Sequence, residues 1–222
     1  MNSWDGKPAV VVMAIDITEK KCTEEKIAVY ARQLESAMEG TLYAVANMVE
    51  QRDPYTSGHE LRVGIIASDI ARSMGWPDEK CKLLRLIGLV HDIGKISIPA
   101  EILSKPGRLS PLEYEIVKTH AQKGYEILKD VESPWPIANI IRQHHERLDG
   151  SGYPQGLKGL EILPEARILA VADVLESMSS HRPYRASLGL DAAIDEIQKH
   201  RESWFDALVW CNALSEMTGV WP

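Results

Sequence analysis

The stretch Leu86–Lys95 reads "LIGLVHDIGK". An apolar run leads directly into a histidine and an aspartate, with a lysine three residues later. Such a run marks the end of a buried helix, so Asp92 and Lys95 stand where an uncompensated charge is unfavourable. A divalent metal is one compensation. Neutral imidazole and carboxylate are natural ligands for such an ion, and His91 and Asp92 offer one of each.

Two further stretches point the same way. "ARILAVADVLES", Ala166–Ser177, buries Asp173 in an apolar helical pattern. A lone buried aspartate needs a partner, and a cation serves. "HHERLDGSGYP", His144–Pro154, sets two histidines side by side ahead of a turn. On a regular helix adjacent side chains diverge by roughly 100°, so both imidazoles reach one ion only near a helix end. Gly150 and Gly152 can take positive φ and Pro154 fixes its own. The loop therefore ends the helix and frees His144 and His145 to face a common point. The chain has seven histidines. A single histidine is more often a packed or surface residue than a ligand, so the grouping carries this reading.

The rest of the pattern is helical after residue 20. Residues 8–17, "PAVVVMAIDI", read as one buried strand, which is not stable in isolation. From Thr23 to Glu50 there is no proline and one glycine. There Ile27, Ala31, Leu34, Met38, Thr41, Val45 and Met48 alternate steps of four and three, an a/d seam over three heptads. The seam fits a parallel dimeric coiled coil or a helix packed on its own domain. "RDPYTSGH", Arg52–His59, breaks it. Helices are expected over about 57–74, 78–93, 111–129, 135–147, 164–179, 189–200 and 206–217. "SPLE", Ser110–Glu113, predicts a capping box with proline in the first turn.

Composition bounds the function. The chain has 222 residues, 45% of them apolar and 26% charged, with a formal net charge of −7. That disfavours a nucleic-acid polymer as partner but leaves room for a small phosphorylated ligand in a locally basic pocket. Cys22, Cys81 and Cys211 form no C-x-x-C pair, so reduced thiols in a cytoplasmic protein are expected. No apolar run reaches the ~20 residues of a membrane span.

At this point the sequence resembles the HD-GYP domains, a subfamily of the HD-superfamily metal-dependent phosphohydrolases. The matching segments are "RDPYTSGHELRV", "HDIGKISIPAEILSKPGRLSPLEYEIVKTH", "HHERLDGSGYPQGLKG", "ARILAVADVLESMSSHRPYRAS" and "FDA" at Phe205–Ala207. They occur in family order over about residues 47–212. The resemblance implies an all-α, HD-type helical bundle at 41–222 with a metal site in its core. It also implies a phosphodiesterase that hydrolyses cyclic di-GMP to linear pGpG or on to GMP, with two divalent ions, most often iron or manganese. It implies that His59, His91, Asp92 and Asp173 surround one ion. Asp92 would bridge to a second ion held by His120, His144 and His145, and the catalytic roles would fall to Asp92 and Lys95. Lys95, Arg182 and Arg185 lie where the family contacts phosphate, and Tyr153 lies in the loop bordering the site. On spacing alone, Arg182 and Arg185 read as ordinary surface charge. The implied chemistry suits the residues: two ions ~3.5–4 Å apart deprotonate a bridging water and stabilise a leaving oxygen, and arginine forks match phosphate. Two other readings stay open, a low-activity binding or adaptor module and a phosphohydrolase of another nucleotide.

Two positions depart from the family. Some members have Glu four residues before the first histidine and use it for a third ion; here that residue is Tyr55, so two ions are expected. Asp53 and Glu60 are not at helical spacing to replace it. An Asp often found three residues after the last metal aspartate is here Glu176, a longer side chain expected beside the site. At the other end, "GKPAVVVMAIDITEKKCTEEKI", Gly6–Ile27, resembles the last strand and exit of a PAS sensor domain. The expected organisation is a PAS-like remnant over 1–22, a signalling helix over 23–50 that pairs two copies, and the catalytic domain.

Overall fold

In the computed structural model the described residues are 3–4, 7–8, 13, 15–52, 58–180 and 189–220, with side chains described for 13, 15–52, 58–180 and 189–214. The fold is all-α, as expected. The chain divides into Met1–Gly40 and Thr41–Pro222, with helix α1 (Thr18–Glu50) running through the division.

The N-terminal unit departs from the sequence reading. A two-residue strand β1 (Ser3–Trp4) pairs antiparallel with β2 (Lys7–Pro8). The long strand expected over 8–17 is absent at Met13 and at 15–17; residues 9–12 and 14 lie outside the described residues. The helix also starts five residues early. The Asp16 carboxylate accepts the Thr18 N–H at 2.9 Å and the Ile17 carbonyl accepts the Lys21 N–H, which caps the helix at once. Along α1, Ile27, Leu34 and Met38 of the seam are exposed.

In the second unit, the end of α1 buries Ala46 and Val49, with Leu42 and Tyr43 partly covered. This stripe is offset by one residue from the seam, and Met48 is 54% exposed. The sequence offers two adjacent apolar stripes, 41/45/48 and 42/46/49, and the core of this unit takes the second.

The helices that follow are α2 (His59–Ser73), α3 (Asp78–Val90), α4 (Ala100–Leu103), α5 (Pro111–Leu128), α6 (Ile137–Gln143), α7 (Pro164–Ser179), α8 (Leu190–Lys199) and α9 (Ala207–Val220). The α5 start is the expected capping box: Ser110 Oγ accepts Glu113 N–H, and Glu113 accepts Ser110 N–H at 2.7 Å. Helix α6 is shorter than the 135–147 expected. Pro136 opens it, and the chain leaves the helix at His144.

Two close approaches place the site. A Cβ on Gly88 would lie 2.3 Å from the Gly64 Cα, and one on Gly64 would lie 2.4 Å from the Arg85 carbonyl. Helices α2 and α3 therefore touch backbone to backbone, which carries the start of α2 to the end of α3. A Cβ on Gly94 would lie 1.9 Å from the His120 carbonyl and 2.6 Å from the Gly124 N. The 3₁₀ turn Ile93–Ser97 that follows α3 thus lies directly on α5. Helix α7 packs against α2 and α8 through a core that includes Ile168, Leu169 and Leu175.

Candidate metal centre

These contacts bring five segments together. His59 is the first residue of α2, and His91 and Asp92 follow α3. His120 comes from the middle of α5, His144 and His145 follow α6, and Asp173 lies on α7. All seven ligands expected from the sequence converge in two sets, Asp92 with His120, His144 and His145, and His59 with His91 and Asp173. Within each set the donor atoms lie within 4.8 Å of one another. Asp92 Oδ1 is 3.2 Å from His120 Nε2 and 3.9 Å from His144 Nε2, while its Oδ2 is 3.5 Å from His91 Nε2. Asp92 therefore faces both sets. His59 Nε2 is 3.3 Å from Asp173 Oδ1.

The hydrogen bonds fix which ring nitrogen is free. His91 Nδ1 lies 2.7 Å from the Gly88 carbonyl, His120 Nδ1 2.7 Å from that of Val117, and His144 Nδ1 2.5 Å from that of Ile141. A carbonyl can only accept, so each Nδ1 carries the proton and each Nε2 presents a lone pair. All three bonds run to the residue three positions earlier, a local device that orients each ring. The Nε2 atoms of His120 and His144 then face each other at 3.3 Å, two lone pairs that repel unless a cation lies near both. Among the described residues, His91 Nε2 and Asp92 Oδ1 are buried without a hydrogen-bond partner. The residues present fit a bound cation.

Electrostatics agree. Burial, reinforced by the neighbouring histidines, pushes His144 down to about 3 and holds His145 well below the usual imidazole range. Burial also lowers His120. These rings are neutral, as a ligand must be. Burial raises the carboxyl of Asp92, but the Lys95 ammonium, first among the opposing groups, helps hold it well below the usual carboxylate range. Burial opposes a charge on His59 as well, yet Asp173 and Glu176 prevail and lift it to about 10. An ion at that set would displace a proton from His59.

Of the other expected residues, Lys95 Nζ sits 2.7 Å from Asp92 Oδ2. The Tyr153 ring lies 4.7 Å from that of His145, and burial raises its hydroxyl so that the phenol stays neutral. Glu176 contacts His59 Nδ1. Tyr55, Arg182 and Arg185 lie outside the described residues.

Sequence reasoning missed two acids. Glu146 is buried, and its carboxylate accepts the N–H groups of Gln155 and Leu157 at 2.7 and 3.0 Å. It latches the glycine-rich loop beside His145, where Tyr153 N–H also bonds to the His145 carbonyl. The signal was its place between the paired histidines and that loop. Glu60 is 1% exposed. Burial first, then the Glu50 carboxyl and the charge of Asp92, push its carboxyl up to about 9.

The HD-domain family profile matches residues 43–209. The chain belongs to the HD-domain family. Relatives of this HD domain are named for cyclic dinucleotides. The cyclic di-GMP phosphodiesterase response regulator RpfG of Xanthomonas campestris is 37% identical over 185 residues, covering 82% of this chain and 49% of its own. The 3'3'-cGAMP-specific phosphodiesterase 1 of Vibrio cholerae is 40% identical over 159 residues, covering 72% of this chain and 37% of its own. The chain thus spans half or less of the length of these curated relatives. Among solved structures, Bd1817, an HDG"Y"P protein from Bdellovibrio bacteriovorus, superposes with a TM-score of 0.60 at 21% identity, over 72% of this chain and 52% of that one. That likeness supports the HD fold. No helix among the described residues is long and apolar enough to cross a membrane.

Proposed function

We propose that this HD domain is of the HD-GYP type and is a metal-dependent phosphodiesterase that hydrolyses cyclic di-GMP to the linear dinucleotide pGpG, with GMP as the product of a second cut. The observation that carries the reading is the convergence of His120, His144 and His145 on one side of Asp92 and of His59, His91 and Asp173 on the other. His59, His91 and Asp173 would hold one divalent ion and His120, His144 and His145 a second, with Asp92 shared between them. Tyr55 in place of a carboxylate supports two ions rather than three. The mixed imidazole and carboxylate set suits iron or manganese. When bound, such a pair supplies Lewis-acid polarisation of a phosphodiester and lowers the pKa of an attacking water.

The chain's own groups do the rest. Lys95, held at Asp92, places an ammonium at the edge of the set, where a phosphate oxygen can share it. Arg182 and Arg185 supply guanidinium forks to the two phosphates. Tyr153, packed on His145 and latched by Glu146, walls one side of the site with a neutral phenol. The exposed residues Ile27, Leu34 and Met38 support pairing of α1 with a second copy, and residues 1–22 are assigned as the exit of a PAS-like sensor.

A second reading is favoured by the Vibrio cholerae relative named for 3'3'-cGAMP: the same centre acting on the mixed dinucleotide. Chromatography of products from purified protein loaded with manganese or iron, given each dinucleotide in turn, separates the two. Cleavage of cyclic di-GMP, lost on chelation, is the expected result. No cleavage of either by fully loaded protein refutes the enzyme reading.

A further inference from the structure

We propose that Glu176, held by Arg62 and Ser180, is a positioning residue that aims His59 Nε2 at its ion and sets the affinity of one ion over the other. This rests on the metal-site reading above. His91, His120 and His144 each take orientation from a carbonyl three residues earlier. His59 opens α2, so its own helix offers no such carbonyl. Its Nδ1 bonds instead to Glu176 Oε2 on α7. The other oxygen of Glu176 accepts Arg62 Nε at 2.6 Å and Ser180 Oγ at 2.5 Å.

The spacing closes a net. Arg62 is three residues after His59 on α2, and Glu176 is three residues after Asp173 on α7. Side chains three apart share a helix face, so the two helices meet through His59–Asp173, His59–Glu176 and Arg62–Glu176. Glu176 is 3% exposed, whereas Arg62 is 44% exposed. The buried carboxylate carries the orienting bond and the arginine holds it from the rim. A carboxylate behind an imidazole makes it a stronger ligand than a carbonyl does, and losing such a partner typically lowers metal affinity 10–100-fold. Among the described residues, the second set has no carboxylate behind His120 or His144; both bond to carbonyls.

The test is a titration of the metal-stripped full chain with Mn2+ alone. Free Mn2+ is followed by electron paramagnetic resonance and heat by calorimetry. Wild type is expected to take two ions. Glu176→Gln should weaken one of them 10–100-fold and leave the other within twofold, and Glu176→Asp, which restores the charge, should recover part of the loss. Arg62→Gln should weaken the same ion by less. Circular dichroism establishes that each variant is folded; if Glu176→Gln is not, Arg62→Gln on the exposed rim decides. Unchanged affinities, or equal weakening of both ions, overturns the proposal. A wild-type chain that binds no ion overturns the metal-site reading itself, a distinguishable failure.

Discussion

Glu60→Gln should stabilise the metal-free protein, and by an amount that depends on pH. Glu60 is buried beside His59, with the Glu50 carboxyl as a neighbour. Its carboxyl is pushed up to about 9 by burial, Glu50 and Asp92, against about 4.3 in an unfolded chain. The folded state therefore binds a proton that the unfolded state has released between those two values. Stability falls as pH rises through that window. At pH 7 the penalty is about 3–4 kcal/mol, at 1.36 kcal/mol for each pH step above the unfolded value. That is a large fraction of the 5–15 kcal/mol typical of a domain. Glutamine keeps the size and loses the titration. Urea unfolding with chelator, followed by circular dichroism at pH 5, 7 and 8.5, measures the difference. The gain should be under about 1 kcal/mol at pH 5, where the ionisation penalty is small, and about 3 kcal/mol or more at pH 7. A difference that does not change with pH would show that Glu60 is ionised in the folded state and that the account of its burial is wrong.

Three further outcomes are expected. Gly94→Ala drives a methyl into the His120 carbonyl and the Gly124 N, backbone atoms that cannot swing aside. It should destabilise by about 1–3 kcal/mol and reduce bound metal; wild-type thermal unfolding with full metal content would refute the close-approach argument. Arg182→Ala with Arg185→Ala should weaken cyclic di-GMP binding by roughly 1.5–3 kcal/mol per lost charge-assisted bond and leave metal content unchanged. Calorimetry showing wild-type affinity returns both to ordinary surface charge. Leu34→Glu with Met38→Glu should convert a dimer to a monomer with an intact metal centre, and a parent chain that is already monomeric in light scattering at high concentration refutes the pairing.

The parts of the fold that were legible in the sequence are those with a local cause. Ser110, Pro111 and Glu113 cap α5 as expected because capping is settled within four residues. His91, Asp92 and Asp173 stood out because polar side chains in apolar helical runs need an explanation wherever the run ends up. What was not legible needed the tertiary partner. Thr41, Val45 and Met48 continue a heptad, yet Leu42, Ala46 and Val49 pack inward, because the two stripes differ only in what they meet. Glu60 carries no sign of burial, since an acid in the first turn of a helix is also what a solvated surface displays. The role of Glu176 was half legible. Its spacing from Asp173 put it beside the site, but its partner His59 lies 117 residues away in the chain and only the α2–α7 packing joins them.

Among the described residues, three carboxylates around the centre each face a cation. Asp92 faces Lys95 at 2.7 Å, Asp173 faces His59 at 3.3 Å, and Glu176 faces Arg62 at 2.6 Å. His144 and His145 are neutral through burial, and Glu60 holds its proton. These pairs by themselves offer little to an anion, and the chain as a whole carries −7. On the proposed reading, attraction for a ligand with two phosphodiesters cannot come from the general field of the protein. It would come from local charge: the ammonium of Lys95, the guanidinium groups of Arg182 and Arg185, and the divalent ions that the two ligand sets would hold. Those ion pairs, with the ring-to-carbonyl bonds of His91, His120 and His144, orient the ligand side chains from within the fold.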